Sequence, residues 1–467
     1  MSLRMNSLAL ALVALLSGCT VGPDYQRPNT GVPGQYTETD AAATAQTVNR
    51  EWWKLFRDPV LDDLVAQALM GNADLRQAAA RVEEADAVLR QTGAALFPEF
   101  DVGASDVRSR SSTTNAVPLP ASVPAVQDKM RLTVGTSFEL DFWGKLRRAS
   151  ESARASALAS RYGRDTLALT LAGLVTQSYT ALRGLDAQVK VSTETLASRD
   201  SALSIAQTRL NNGLASALDL RQVEGARAAA AAQVADLVQQ RALAEHQLAL
   251  LTGRMDLKLP AGDLDKLPVP PLPPAGLPSS LLEARPDVRQ AEAQLVAANA
   301  RIGVAKAALF PSISLTGLLG GESAQLAGLL SAPSRIWTAG FGLNLPIFDA
   351  GRIEAQVDQA TAQQKQALAA YQKAIQNAFK DVNDALVNLR QSAEKETELD
   401  AQVKAAARAL KLADARYQAG YSPYLEVLDS QRTLNDATLS LLRNRQARLA
   451  ATADLFRALG GGWRDAG

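Results

Sequence analysis

Toward the C-terminal end of the chain, apolar residues recur in steps that alternate between four and three. Tyr371, Ile375, Ala378, Val382, Ala385 and Leu389 make one run, and Leu399, Val403, Ala406, Leu410, Ala413 and Tyr417 make a second. Ser392 and Glu396 keep the two in phase. This spacing is a heptad seam. A helix uninterrupted from Gly351 to Ala419 would be roughly 100 Å long at about 1.5 Å per residue. No single core needs such a helix, so it must pack along other long helices. The one interruption before Gly462 is Gly420-Tyr421-Ser422-Pro423, which predicts a hairpin of two long helices.

The same pattern occurs 207 positions upstream. The seam maps onto Arg164, Ala168, Leu171, Val175, Ser178 and Leu182, and then onto Ser192, Leu196, Arg199, Leu203, Ala206 and Leu210. Gly144-Lys145 mirrors Gly351-Arg352, Arg209 mirrors Arg416, Gly213 mirrors Gly420, and Leu218-Asp219 mirrors Leu425-Glu426. Leu96-Phe97-Pro98 and Leu309-Phe310-Pro311 match at a slightly different offset, as loops of unequal length require. Two helix starts and two turns at one offset identify a tandem duplication.

Ahead of each long helix the period changes to two. Phe100, Val102 and Ala104 alternate with Asp101 and Gly103; Leu132, Val134, Phe138, Leu140 and Phe142 alternate with Arg131, Thr133, Ser137, Glu139 and Asp141. Ile313 and Leu315, and then Phe341, Leu343, Leu345 and Ile347, repeat this in the second half, and Ser109 to Asp128 reads as a loop. Strands of about ten residues with one apolar and one polar face suit a barrel wall between lipid and water. The strands alone also fit a soluble sheet with one buried face, to which two isolated hairpins on very long helices are less suited. Phe138, Phe142, Trp143, Trp337 and Phe348 are candidates for its aromatic girdles. Four strands cannot close such a barrel, so copies must join: two give eight strands, three give twelve, and a water-filled duct favours three.

The remaining segments are set by local signals. Asp58-Pro59 starts a helix that ends at Gly71-Asn72, and another runs from Ala73 to about Ala95; Trp52 and Trp53 read as packing anchors. Prolines between Pro260 and Pro278 mark a stiff linker, Arg285-Pro286-Asp287 restarts a helix, and Gly460 to Gly467 should fray. This divides the chain into a signal peptide (1–18), an extended N-terminal segment (19–58) and a first repeat (59–253) with a β-hairpin (99–143) and a helical hairpin (144–253). A linker (254–278), a second repeat (279–462) with a β-hairpin (312–348) and a helical hairpin (351–459), and a tail (463–467) complete it.

Composition removes most chemistry. The 467 residues carry 49 basic and 48 acidic side chains, a balance that gives no argument for nucleic acid. His246 is the only histidine and has no cysteine or histidine beside it, so neither a metal-ligand set nor a Ser-His-Asp arrangement appears. Gly317, Gly320 and Gly321 lack the following lysine of a phosphate loop. No cofactor is expected and the chain does not read as an enzyme. The single cysteine stands at the end of a short N-terminal apolar run. Leu16-Ser17-Gly18-Cys19 resembles the lipobox of bacterial lipoproteins, in which cleavage leaves Cys19 as a lipidated N-terminus. Thr20, which is not aspartate, then implies the outer membrane.

Several motifs in one order resemble the outer membrane factors, the TolC-like exit ducts, in the lipoprotein branch that serves efflux systems of the resistance-nodulation-division type. They are the Leu16–Cys19 lipobox, Val21-Gly22-Pro23-Asp24-Tyr25, Trp53 to Leu64, the paired Leu-Phe-Pro motifs, Asp141-Phe142-Trp143-Gly144-Lys145, and Arg416-Tyr417-Gln418-Ala419-Gly420 followed by Leu425 to Arg432. The resemblance implies a mainly α fold with a transmembrane β-barrel: a homotrimer whose twelve strands, four per copy, continue into a long periplasmic α-helical barrel with a mixed belt. It implies an exit duct for drugs or other toxic small molecules, partnered by a periplasmic adaptor, an inner-membrane pump and outer-membrane lipid. It also implies a periplasmic gate, with rings of Leu425 and Asp429 held closed by a network that includes Arg416, Tyr417 and Arg432. Under the repeat, Asp429 corresponds to Gln222 and Arg432 to Gly225, so the two tips differ in charge. A duct for type I protein secretion shares this fold, and a lipid-anchored coiled-coil scaffold without a pore is the alternative of a different class.

Overall fold

In the computed structural model the structure describes residues 20–29, 31, 33, 36, 49–112, 114, 120, 122–271 and 281–464. The signal segment, Cys19 and residues 465–467 lie outside the described residues. The helices are α1 (Pro59–Gly71), α2 (Ala73–Ala94), α3 (Lys145–Asn211), α4 (Ala217–Thr252), α5 (Pro286–Ala307), α6 (Arg352–Gln418) and α7 (Tyr424–Ala458), with a single turn at Leu281–Ala284. The strands are β1 (Glu99–Arg110), β2 (Val126–Leu140), β3 (Ser312–Ser323) and β4 (Arg335–Asn344).

The duplication is explicit in the backbone. Both α3 and α6 have 67 residues, and their first and last residues stand 207 positions apart. Each ends on a left-handed glycine, Gly213 (φ 70°) and Gly420 (φ 80°), a conformation open to glycine at no steric cost. In both, the next residue's N–H returns to a carbonyl in the last helical turn, Leu214 to Arg209 and Tyr421 to Arg416, each at 2.8 Å. Along α6 the seam from Tyr371 to Leu389 is buried throughout, as are Ala406 and Ala413. Asp58 accepts from the Val60 N–H at 2.9 Å, with Pro59 in the first helical position of α1.

The chain folds as two units. The first comprises Met1–Asn29, Val82–Ser160 and Ala291–Tyr371. It holds one antiparallel meander in the order β1-β2-β3-β4, which leaves β1 and β4 as open edges. The register places Val102, Val134, Leu319 and Trp337 in one row across all four strands, and Phe138, Leu315 and Phe341 in another. These rows stand on one face, which is apolar and exposed: Trp337 and Phe341 are each 75% exposed. The opposite face carries Gly103, Thr133, Gly320 and Ile336 in one row, Asp101, Gly135, Leu318 and Thr338 in the next, and Ser137, Thr316 and Gly340 in the one after.

Two strands are longer or earlier than the alternation of apolar residues suggests. β1 continues to Arg110 and β2 begins at Val126, because the backbone ladder Ser109–Gln127 and Arg110–Val126 needs no apolar side chain. β4 begins at Arg335 and stops at Asn344, short of Leu345 and Ile347, since Pro346 has no N–H for a ladder. Phe142, Trp143 and Phe348 lie beyond the strands, and Trp143 is turned into a corner, stacked on Phe310 at 4.6 Å and donating from Nε1 to the Pro311 carbonyl at 2.8 Å.

Residues 20–29 form no helix or strand and are strapped to this unit. The Val21 N–H donates to the Trp143 carbonyl (3.0 Å), Arg148 donates to Asp24 and Glu151, Asn299 donates to the Pro23 carbonyl, and Arg27 makes a two-pronged pair with Glu292 at 2.6 and 2.8 Å. Gly22 (φ 106°) lies against Gly303, where a Cβ would come within 2.5 Å of the Gly303 Cα.

The second unit comprises Thr30–Arg81, Arg161–Gln290 and Gln372–Gly467. Its core gathers Trp52, Trp53 and Phe56 with Leu61 and Leu64 of α1, Val175, Tyr179 and Leu182 of α3, Leu248 of α4, and Leu449 and Phe456 of α7. Part of the proline-rich linker packs here too, through Leu257, Leu264 and Leu267. Asp186, buried between Arg183 (2.8 Å) and Arg241 (2.7 Å), also accepts the Gly262 N–H at 2.9 Å, so a paired carboxylate pins the linker. Residues 460–464 do not fray as the glycines suggest, and residues 465–467 lie outside the described residues. Gly460, Gly461 and Gly462 take positive φ, and Trp463 is buried, its Nε1 donating to Asp165 at 3.0 Å. The glycines permit a reversal that returns an aromatic anchor to the core.

Candidate functional site

The second unit contains both helical-hairpin tips. In the first, Ser216 and Asp219 form a capping box at the start of α4: the Asp219 N–H donates to Ser216 Oγ (3.1 Å) and the Ser216 N–H to Asp219 (3.0 Å). In the second, Pro423 precedes α7 and supplies no side-chain cap, and Glu426 faces Arg416 at 3.5 Å. The second tip has therefore lost a local lock that the first retains, and carries an ion pair within its own hairpin instead.

Leu425 is 53% exposed. Asp429 accepts from Arg432 Nη2 at 2.7 Å, an i,i+3 pair on one exposed helix face, and Arg432 also lies 3.8 Å from Asp436. Of the five candidate gate residues, Tyr417 alone is bonded to the other hairpin. Its hydroxyl accepts from Arg209 Nη1, the Arg209 guanidinium lies over its ring at 5.1 Å, and the Tyr424 ring sits 5.0 Å away. Arg416 and Arg432 are tied within their own hairpin, so within one chain the bridge runs through Tyr417 and not through them. Leu425, Asp429 and Arg432 do share a groove of about 760 Å³ with Gln222, the repeat counterpart of Asp429, and with Arg199. A second groove of about 660 Å³ joins Arg209 and Leu214 to Tyr417, Gly420 and Tyr424.

Sequence reasoning about the gate leaves out Arg209, Tyr424, Arg199 and Gln431. Arg209 is visible as the repeat partner of Arg416. Arg199 is visible as a charged residue in a seam whose repeat counterpart is Ala406. Tyr424 and Gln431 give no sequence signal, because only the packing of α7 on α3 brings them in. Farther down the hairpins, Thr195 donates to Asn435 (3.2 Å) and Asn435 to Gln233 (3.3 Å), a polar rung between the hairpins. His246 is exposed on α4.

The arrangement lines two grooves with charged, polar and aromatic side chains, and among the described residues at the tips no nucleophile is paired with a base. Burial pushes the Tyr424 hydroxyl above its ordinary pKa, with Arg199 acting the other way, so this ring stays neutral and serves packing. Among the described residues no helix is long and apolar enough to cross a membrane. The exposed apolar face of the sheet, with Trp337 and Phe341, is a surface suited to lipid.

The model of the family described as outer membrane efflux protein matches residues 64–254 and 277–461. The toluene efflux pump outer membrane protein TtgF of Pseudomonas putida is 36% identical over 475 residues, covering 99% of this chain and 98% of that protein. The cation efflux system protein CusC of Escherichia coli K12 is 36% identical over 462 residues, covering 97% and 99%. Among solved structures, the outer-membrane channel OprN superimposes with a TM-score of 0.89 at 30% identity, over 95% of this chain and all of that one. The chain belongs to the outer membrane efflux protein family: it is an outer-membrane efflux channel extending into the periplasm, a transport duct and not an enzyme.

Proposed function

We propose that three copies of this chain form the exit duct of a tripartite efflux system, passing small molecules outward from an inner-membrane pump through a periplasmic adaptor. The observation that carries the reading is the four-stranded sheet with an exposed apolar face and two unpaired edges. Open edges are not tolerated in lipid, so β1 of one copy pairs with β4 of the next until the wall closes. Two copies give eight strands and a filled interior; three give twelve and room for water. Glycine, serine and threonine on the inward rows, with the Arg131–Glu322 and Lys129–Glu322 ion pairs on the same face, suit a wall that faces water. Relatives named for toluene and for cations use the same scaffold, which fits a lumen that need not bind its cargo and a specificity set by the pump. Native mass spectrometry in detergent gives three chains per particle. A stable monomer with β1 and β4 exposed to solvent would overturn the reading.

Cys19 carries the lipid. Val21, two residues on, is fixed to the Trp143 carbonyl just beyond β2. Mass spectrometry of the mature N-terminus finds acylated Cys19; a free thiol, or a chain that starts elsewhere, removes it. Because the barrel also anchors the protein, Cys19→Ser alters maturation more than final residence in the membrane.

The gate of this duct is the second hairpin tip, with Leu425 and Asp429 as the constricting side chains, Arg432 and Arg416 setting their local charge, and Tyr417 holding one hairpin to the other.

A further inference from the structure

Arg199 stands at a seam position of α3, where the second repeat has the buried Ala406, and only 5% of it is exposed. Its side-chain hydrogen bond runs from Nη1 to Oε1 of Gln431 on α7, at 2.5 Å. Among the described residues no carboxylate lies within ion-pair distance of it. Three other arginines of this region have carboxylate partners, Arg227 with Asp200 at 2.8 Å, Arg416 with Glu426 and Arg432 with Asp429, and Arg209, which donates to the Tyr417 hydroxyl, is only half-buried. Burial holds the Arg199 guanidinium below the usual arginine range, with Tyr424 opposing. A guanidinium has five donors, and one amide oxygen satisfies one of them. A cation buried without a counter-charge weighs against the packing that buries it.

Gln431 lies between Asp429 and Arg432 in sequence, so any movement of α7 at the tip changes the surroundings of Arg199 directly. Arg199 also lines the groove that holds Asp429 and Asp436, both of which are presently faced by Arg432. The packed tip thus keeps an arginine away from carboxylates that share its groove. A leucine or methionine in that seam would hold α3 to α7 with no such cost.

We propose that Arg199 is a positioning residue of the gate: an uncompensated cation built into the helix seam that keeps the packed tip marginal, so that it opens when α7 withdraws Gln431. This rests on reading the second tip as the gate. On opening, the guanidinium gains water and the carboxylates along the groove, and the cost imposed in the packed state is relieved.

The test is single-channel recording of the full-length protein reconstituted in planar bilayers, with Arg199→Met, Gln431→Glu, their combination, and Leu425→Ala/Asp429→Ala as a reference for the gate itself. Arg199→Met keeps length and removes charge, so open probability falls by roughly tenfold, the low end expected when an apolar side chain replaces a buried ion. Gln431→Glu supplies the missing counter-charge and lowers open probability in the same direction. The double variant leaves a buried glutamate without its cation and opens more than wild type. The Arg199→Met protein also resists thermal dissociation better than wild type. An arginine that merely braces α3 against α7 predicts the reverse for Arg199→Met: a looser, leakier tip and lower thermal stability. That result, or wild-type behaviour in both single variants while the Leu425/Asp429 reference opens, overturns the role of Arg199 and leaves the gate in place. A reference that conducts like wild type overturns the gate reading instead. If Arg199→Met fails to assemble, Gln431→Glu decides alone, since it keeps the arginine.

Discussion

Replacing Leu425 and Asp429 together with alanine raises single-channel conductance severalfold and lowers the preference for cations, while Gln222→Ala does much less. Symmetry multiplies each side chain into a ring of three. Leu425, 53% exposed within one chain, lies outside the buried core, so shortening it widens the passage without unfolding the tip. Asp429 is paired to Arg432 at 2.7 Å, but both side chains are more than 60% exposed, and solvent screens such a pair until it contributes little to stability. Its carboxylate therefore acts chiefly on the passage, where low-dielectric walls focus its field on permeating ions. Gln222 lines the same groove and is similar in size, yet carries no charge. Equal changes from Gln222→Ala and the double variant would put the constriction elsewhere and reduce the asymmetry of the tips to surface charge. Tyr417→Phe separates the hinge from the constriction: it removes the acceptor of the Arg209 hydrogen bond and raises the frequency of opening, with the conductance of the open channel unchanged.

The asymmetry on which that experiment depends is legible in the chain itself, because the duplication supplies its own control. Positions 207 apart share backbone roles, so a charge present in one copy and absent from the other stands out. The same comparison locates both left-handed glycines and both starts of the long helices, all of which are local properties of the backbone. It does not supply contacts between the copies. Arg209 and Tyr417 each stand just before the turn of their own hairpin, and nothing in their spacing says that the Tyr417 hydroxyl accepts from the Arg209 guanidinium. Trp143 illustrates a second kind of miss. An aromatic residue at the end of a membrane strand suits an interfacial girdle, but the ring finds Phe310 and the Pro311 carbonyl within reach and turns toward them. Gly460-Gly461-Gly462 illustrates a third: three glycines terminate a helix, and whether the chain then frays depends on the residue that comes after them. Here Trp463 has Asp165 and Tyr162 to pack against, a long-range gain that no local propensity encodes.

Trp52→Ala lowers the stability of the assembled protein by about 3–5 kcal/mol, the usual cost of truncating a fully buried large aromatic residue, without altering the conductance of channels that survive. Trp52 is 0% exposed. Its ring stacks on Phe456 of α7 at 5.4 Å and meets Trp53 and Phe56 edge-on at 5.9 and 6.5 Å. It thereby fastens the segment before α1 to the helical hairpins, far along the sequence from Leu425 and Asp429. The removed indole leaves a void bounded by residues from α1, α3, α4 and α7, and helices joined by several independent contacts cannot all move in to fill it. Trp52→Phe distinguishes packing from hydrogen bonding. The indole Nε1 is buried without a partner, so phenylalanine removes an unsatisfied donor, a gain of about 1–3 kcal/mol, that offsets much of the lost ring area. The expected order is wild type close to Trp52→Phe and well above Trp52→Ala, read from thermal dissociation of the purified protein in detergent. Equal losses from the two substitutions would show that Nε1 has a partner and that Trp52 is held by hydrogen bonding as much as by packing. Altered conductance in Trp52→Ala channels would show that the core is coupled to the tip and does not simply support it.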